Sequence, residues 1–180
     1  MSASAPRRPA PEPPAADDLA GAVLRCRAIP EFLAQLRRLY EDLDRRLAAT
    51  GAKCLGGGGC CKFDLAGHRL YLTAGELAIL TEELPPTPRG PVACKATTLD
   101  GKVSTSRRPK MRCPYQRLGR CSAHGRRPLG CRAYFCRAAG RGGPPATYEE
   151  YHRKLAALHE QFGVPYLYVE LTAGLAQVLP

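Results

Sequence analysis

Hydrophobic side chains recur every three or four positions in the first third of the chain, which is the spacing of an amphipathic helix. The apolar positions of this helix are Ile29, Phe32, Leu33, Leu36, Leu39, Tyr40, Leu43 and Leu47. Pro30 suits the first turn, and Thr50-Gly51 is a typical helix end. A shorter helix is predicted over residues 17–27, where Cys26 is expected to be a small buried core residue.

Alternating apolar and polar positions predict short strands further along the chain. Residues 68–73 and 165–171 alternate in this way. Residues 92–106 predict two short strands joined by a turn at Asp100-Gly101, because Asp-Gly favours tight hairpin turns. These strands are too few and too short for a large sheet, so the sheet content is expected to be small.

Three further helices are predicted from capping signals and apolar spacing. Thr73 with Glu76 and Thr147 with Glu150 each form the Ser/Thr-x-x-Glu pattern of a capping box. The second of these helices has an apolar stripe of Tyr151, Leu155, Leu158 and Phe162. The last eight residues, 173–180, are expected to add one or two helical turns.

These elements predict an α+β protein: a small, irregular, cysteine-rich, metal-stapled domain with an N-terminal amphipathic helix and a C-terminal helix. The length of 180 residues suits one domain. Residues 1–16 are rich in Pro and Ala and are predicted to be a disordered tail. The single domain over 17–180 divides into a helical arm (17–52), a metal-binding core (53–140) and a helix-strand-helix cap (141–180).

Nine cysteines in 180 residues are many for a soluble protein. The first residues lack the apolar segment of a secretory signal, and no run of 18 apolar residues follows, so a cytoplasmic location without membrane insertion is predicted. Thiols stay reduced in that compartment, where clustered cysteines usually indicate metal or redox chemistry. A disulfide framework is the alternative, and it would require export.

The formal net charge is +11, which raises the question of a nucleic-acid partner. Arg112, Arg120, Arg132 and Arg137 each stand beside or near a cysteine, and their charge is expected to offset that of metal-bound thiolates. Aromatic residues make up only 7% of the chain, and no nucleic-acid reader motif is found. Nucleic-acid binding is therefore kept only as a weaker alternative.

The cysteines outside the N-terminal helices fall into two groups that together form the predicted metal site. The proposed metal ligands are Cys54, Cys60, Cys61, Cys113, Cys121, Cys131 and Cys136. Tetrahedral thiolate sites often take ligands from two separate loops. The glycines at 56–59 allow the sharp bend that directs neighbouring thiols to one place. Cys94 and His124, which follows Cys121 by three residues, are left open as further ligands.

The second cysteine group also carries a family resemblance. Its pieces are CPY at 113–115, GRC at 119–121, RPLGCR at 127–132 and then Cys136, all preceded by the cysteines at 54, 60 and 61. In this order they resemble the YkgJ-type cysteine-cluster family of zinc- or iron-chelating domains, over about residues 53–137. The family usually has Phe where this chain has Tyr115, and many members carry more cysteines before the Cys-Cys pair. The resemblance implies metal chelation.

The leading hypothesis for function is a metal-chelating cysteine-cluster protein whose zinc or iron, including an iron–sulfur cluster, is mainly structural or redox-active. Both metals favour thiolate ligands. An iron–sulfur redox enzyme or a methyltransferase-like enzyme is the alternative, because a related cysteine pattern occurs in the flagellin lysine N-methylase group. The sequence assigns no catalytic residue, no cofactor pocket and no protein partner.

Overall fold

The described part of the chain combines six α-helices with two small antiparallel sheets, which confirms the α+β class. A computed structural model describes residues 18–51, 59–63, 69–83, 113–133 and 144–179. The helices are α1 (Leu19–Arg27), α2 (Pro30–Ala49), α3 (Ala74–Leu80), α4 (Leu129–Ala133), α5 (Pro145–Gln161) and α6 (Leu171–Val178). The strands are β1 (Tyr71–Thr73), β2 (Gln116–Arg117), β3 (Arg120–Cys121) and β4 (Tyr168–Glu170). None of these helices is both long enough and apolar enough to cross a membrane.

The two N-terminal helices follow the predicted pattern closely. The Asp18 side chain caps α1 by accepting a hydrogen bond from the Gly21 N–H at 2.6 Å. Pro30 occupies the first turn of α2, and Gly51, just beyond its end, has a positive φ of 75° that favours glycine. The buried face of α2 is Phe32, Leu33, Leu36, Tyr40, Leu43 and Leu47. Cys26 is fully buried in α1, as predicted.

Helix α3 lies at the centre of the fold, and all seven of its residues are buried. Thr73 and Glu76 form the predicted capping box, in which each side chain accepts a hydrogen bond from the other residue's backbone N–H. Gly75 lets neighbouring rings approach closely, since a Cβ atom there would lie 2.7 Å from Phe32 and 3.0 Å from His159. This close packing fixes α3 between α2 and α5.

The larger sheet is a short antiparallel pair of β1 and β4, in which Leu72 is opposite Val169. Both strands are shorter than the predicted 68–73 and 165–171, because each begins three residues later than predicted, and β4 also ends at Glu170, where a helix follows. Glu170 caps α6 by accepting a hydrogen bond from the Ala173 N–H at 2.9 Å. The two strands predicted within 92–106 lie outside the described residues.

The predicted capping box at Thr147 and Glu150 is wrong. Helix α5 begins two residues earlier, at Pro145, and Pro144 is its N-cap. Proline already has the backbone φ of a first helical turn, so no side-chain cap is needed to start the helix. Thr147 is buried, and the Glu150 carboxylate pairs instead with Arg46 at 2.6 Å and Lys154 at 2.8 Å.

The hairpin formed by β2 and β3 was not predicted from the sequence. Its two turn residues, Leu118 and Gly119, have φ values of 46° and 79°. Two successive positive φ values are the geometry of the tight turn that joins twisted antiparallel strands. Gly119 is a common residue at such a position, whereas Leu118 is unusual, and this hid the turn from the sequence pattern.

Candidate metal centre

Three separate segments bring five of the predicted metal ligands into one region. The turn at Gly59–Cys61 supplies Cys60 and Cys61. The hairpin segment supplies Cys113 and, at the end of β3, Cys121. Helix α4 supplies Cys131. Electrostatic interactions connect these thiols across the three segments, with Cys61 acting on Cys131 and Cys121 acting on both Cys61 and Cys131.

A chain of hydrogen bonds runs through three of these thiols. The Cys60 thiol donates to the Cys61 sulfur, and the Cys61 thiol donates to Cys113. The hydrogen bond to Cys113, with burial, raises the pKa of Cys61 to about 12. The hydrogen bond to Cys61, and then burial, raise the pKa of Cys60. Backbone pairing joins the same two segments, because the Cys113 N–H donates to the Cys61 carbonyl at 3.0 Å.

Cys131 belongs to the same group although it comes from the third segment. Part of its surface is exposed, yet the surrounding protein raises the pKa of its thiol well above the ordinary value. The nearby Cys61, Cys60 and Cys121 raise the pKa further, while the Arg127 charge lowers it. Without metal, the Cys60, Cys61 and Cys131 thiols therefore hold their protons at neutral pH, and binding a thiophilic cation would require their release.

The described cysteines are all free thiols. In the described segments, no group of three or more His, Cys, Asp or Glu side chains is arranged to hold a metal ion. Two predicted ligands, Cys54 and Cys136, lie outside the described residues, as does Cys94. The seven-ligand site therefore stays a prediction, and the structure shows that five of its members are neighbours.

Helix α4, which carries Cys131, is held in place by the buried Glu76 side chain. One carboxylate oxygen of Glu76 accepts hydrogen bonds from the Tyr40 hydroxyl at 2.6 Å and from the Leu129 N–H at 2.7 Å. The other accepts the Thr73 N–H at 2.7 Å. Because Leu129 is the first residue of α4, this carboxylate fixes the start of the helix two residues before Cys131.

The buried Arg132 side chain provides a second anchor for α4. Its guanidinium pairs with Asp44 on α2 and lies 4.6 Å from the ring centre of Tyr40. It also donates to the backbone carbonyls of Arg127 at 2.7 Å and Gly125 at 2.6 Å. These partners show that Arg132 holds α4 and the preceding turn against α2, and its predicted role in offsetting thiolate charge stays a prediction.

Arg127 is the buried arginine whose charge acts on the thiols. Its positive charge lowers the pKa of both Cys60 and Cys131, against the larger effects that raise them. Its Nε donates to the His124 carbonyl at 2.9 Å. His124 is exposed; burial of part of its ring, followed by the Arg127 and Arg132 charges, lowers its pKa. A ligand role for His124 stays a prediction.

Tyr115 anchors the hairpin that carries Cys113 and Cys121. Its hydroxyl donates to the Glu83 carbonyl at 3.1 Å, and its own carbonyl accepts from the Ser122 N–H at 2.8 Å. Arg126 pairs with the Glu83 carboxylate at 2.6 Å. Sequence reasoning missed these anchors and those of Glu76 and Arg132, because each joins residues that are far apart in the chain.

The chemistry of this donor set fits zinc or iron. Sulfur ligands select such metals, whereas magnesium and calcium prefer oxygen ligands. Five thiols from three segments exceed the number needed for one tetrahedral ion. The Arg127 guanidinium would offset part of the negative charge that the thiolates acquire on metal binding.

Comparison of the chain with protein-family models, with curated proteins and with solved structures finds no match. The resemblance to the YkgJ-type family therefore rests on the cysteine motifs alone.

Proposed function

We propose that this protein is a metal chelator in which the clustered cysteines bind zinc or iron and fasten an irregular, cysteine-rich domain. The observation that supports this proposal is that Cys60 and Cys61 lie in one region with Cys113, Cys121 and Cys131. Cys60 and Cys61 come more than 50 residues before the other three in the chain, yet electrostatic interactions link their thiols to Cys113, Cys121 and Cys131.

The proposed role of the metal is mainly structural. The segments that carry the thiols contain two-residue strands, a five-residue helix and short turns. Such elements bury little area, and structural zinc contributes on the order of 10 kcal/mol of apparent binding free energy to folding in small domains. A metal would therefore supply the cross-links that regular secondary structure does not.

Zinc and an iron–sulfur cluster are distinguished by a visible spectrum. Protein purified without oxygen should be colourless with stoichiometric zinc, or brown with iron and sulfide. A brown protein that is reduced and reoxidised reversibly would support the redox form of the proposal. The methyltransferase-like and nucleic-acid alternatives rest on the sequence alone.

Cysteine substitution with elemental analysis tests the proposal. Cys61→Ser and Cys131→Ser should each lower metal content, because each removes one member of the cluster. Cys26→Ser is the matched control, since Cys26 is also a buried free thiol but lies in α1. Metal should be measured per folded protein, with far-UV circular dichroism on the same samples.

The outcome that would contradict the proposal is equal metal content in all four proteins, wild type included. A metal-free wild-type protein that cannot be loaded with zinc or iron under reducing conditions would contradict it as well. Loss of metal in the Cys26→Ser protein alone would place the site elsewhere.

A further inference from the structure

Three tyrosine rings are stacked in a row on the exposed side of the β1–β4 sheet. Tyr71, Tyr168 and Tyr166 are 43%, 44% and 38% exposed. The Tyr71 and Tyr168 rings are stacked with centroids 5.6 Å apart, and the Tyr166 and Tyr168 rings are stacked at 6.3 Å. We name this row the tyrosine ladder. Exposed aromatic groups of this kind usually mark a binding surface.

Side chains of α5 hold the tyrosine ladder in position. The Tyr148 and Tyr168 hydroxyls are 3.1 Å apart, and the Tyr166 hydroxyl is 2.9 Å from Nε2 of His152. The His152 ring also packs edge-on against Tyr168 at 5.6 Å. The rings are therefore already ordered, so a ligand that stacks on them has little side-chain entropy to remove.

An exposed carboxylate near the ladder favours a cationic group in the ligand. The Glu76 and Glu149 carboxylates both act on Tyr168, where they add to the effect of burial in raising its pKa. Glu76 also acts on Tyr166. The Glu76 carboxylate is buried and already accepts three hydrogen bonds, so the exposed Glu149 is the carboxylate that is available to a cation here. An arginine beside the ladder would be attracted.

The chain itself contains a segment with the matching chemistry. Residues 6–14 read PRRPAPEPP, which places Arg7 and Arg8 among five prolines. Proline-rich segments favour the extended polyproline II helix, and aromatic-lined surfaces bind that helix at low entropic cost. We propose that residues 6–14 dock on the tyrosine ladder, with prolines packed on the rings and an arginine near Glu149.

The tether between this segment and the ladder is short. The described chain begins at Asp18, four positions after Pro14, and four extended residues span about 14 Å. A Cβ atom on Gly174 would lie 3.6 Å from the Leu19 side chain and 2.9 Å from that of Val169. The N-terminus of α1 therefore starts near β4 on the face opposite Tyr168, because successive strand side chains alternate, so the tether must pass the edge of this two-stranded sheet to reach the ladder.

Tethering makes even weak docking effective. A short flexible tether gives an effective concentration on the order of 1 mM, so an intrinsic Kd of about 0.1 mM leaves roughly ten docked tails for each free one. Docking should therefore slow tryptic cleavage after Arg7 about tenfold. Cleavage is measured on the full-length protein by the release of residues 1–7, followed by mass spectrometry.

Two variants should remove this protection. The first replaces Tyr166 and Tyr168 with Ala; the second leaves the ladder intact and replaces the three prolines at positions 11, 13 and 14 with Ala, keeping Pro9 so that no new tryptic site forms after Arg8. Both should be cleaved about tenfold faster than wild type. Leu24→Ala is the control, because Leu24 is an exposed apolar residue on α1 and should leave cleavage unchanged. Metal content and circular dichroism check that each variant is folded.

A binding measurement identifies the occupant. A fluorescent peptide of residues 5–16 should bind the full-length proline variant, whose ladder is free, about tenfold more tightly than wild type, whose own tail competes. Equal cleavage of wild type and both variants, with no peptide binding, would overturn the proposal. A thymidine oligonucleotide that binds in place of the peptide would overturn it in favour of nucleic acid. Protection that requires high protein concentration would overturn it in favour of a second copy of the chain.

Discussion

The helical scaffold and the cysteine region of this protein are stabilised in different ways. The scaffold, formed by α1, α2, α3, α5, α6 and the β1–β4 sheet, buries rows of aliphatic and aromatic side chains. The cysteine region, 59–63 and 113–133, has a small hairpin, short turns and α4, and its distinctive buried groups are thiols and arginines. The hydrophobic periodicity that specifies the scaffold is therefore absent from the cysteine region.

Two buried polar side chains join these regions. Glu76 on α3 accepts the Leu129 N–H, and Arg132 on α4 pairs with Asp44 on α2. Both contacts fix α4 relative to the scaffold, and α4 carries Cys131. The scaffold thereby sets the position of one thiol before any metal binds.

The largest effect is expected from breaking the Glu76 link. Glu76→Ala leaves the Tyr40 hydroxyl and two backbone N–H groups buried without their acceptor, which should cost about 4 kcal/mol of unfolding free energy. Glu76→Gln is the matched control, because its amide oxygen still accepts; about 2 kcal/mol should be lost. Urea denaturation measures both values. A loss of less than 1 kcal/mol for the Ala variant would show that water replaces the carboxylate.

Metal removal should destabilise the cysteine region and leave the stability of the scaffold unchanged. With metal at about 100 times its Kd, chelation should cost the cysteine region about 2.7 kcal/mol, or a hundredfold in amide exchange rate. Hydrogen exchange with mass spectrometry should show this change in 113–133, while peptides from α2 and α5 keep their protection because apolar packing holds them. Uniform deprotection of both regions would contradict the comparison, and no change anywhere would contradict the proposed function.

The scaffold was largely predictable from the sequence, and the failures have local causes. The stripe of α2 and the capping box at Thr73 were confirmed because both signals are contained within one helix. The capping pattern predicts that α5 starts at Thr147, whereas Pro144-Pro145 defines the start without a side-chain cap. The hairpin was missed because Leu118 is an uncommon residue at a positive φ.

The candidate site was predictable only as a set of residues. Cysteine spacing indicated which thiols belong together, and the structure places five of them in one region, linked by pairwise electrostatic interactions. The supports could not be predicted, because Glu76 to Leu129 and Asp44 to Arg132 are pairs that only the tertiary fold brings together. Arg132 is an example. Its position next to Cys131 predicts charge compensation, and its contacts show that it also anchors α4 to α2.

A pH-dependent loss of stability is expected in the scaffold. His159 is fully buried, its Nδ1 is 3.0 Å from the Pro165 carbonyl, and burial lowers its pKa below the ordinary 6.5. The folded state therefore binds the proton less readily than the unfolded state. The stabilisation that comes from keeping His159 neutral is complete above pH 6.5. It is lost as the pH falls, at up to about 1.4 kcal/mol of unfolding free energy per pH unit.

His159→Asn tests this assignment, because asparagine can still donate to the Pro165 carbonyl but does not titrate. Its urea midpoint should start lower, since ring contacts with Phe32 and Tyr166 are lost, but should fall less than that of wild type between pH 7 and pH 5. Parallel pH profiles for the two proteins would assign the acid sensitivity to other groups.

The smallest effect is expected at the hairpin turn, and it tests whether the cysteine region unfolds separately from the scaffold. Leu118 is completely exposed and has a positive φ, which costs a branched residue about 1 kcal/mol relative to asparagine. Leu118→Asn creates the Asn-Gly pair that such turns prefer, so about 0.5–1 kcal/mol of stabilisation is expected. If the two regions open separately, slower hydrogen exchange should appear in 113–121 but not in α2 or α5. If exchange slows equally everywhere, the hairpin and the scaffold unfold as one unit, and the metal must then stabilise both.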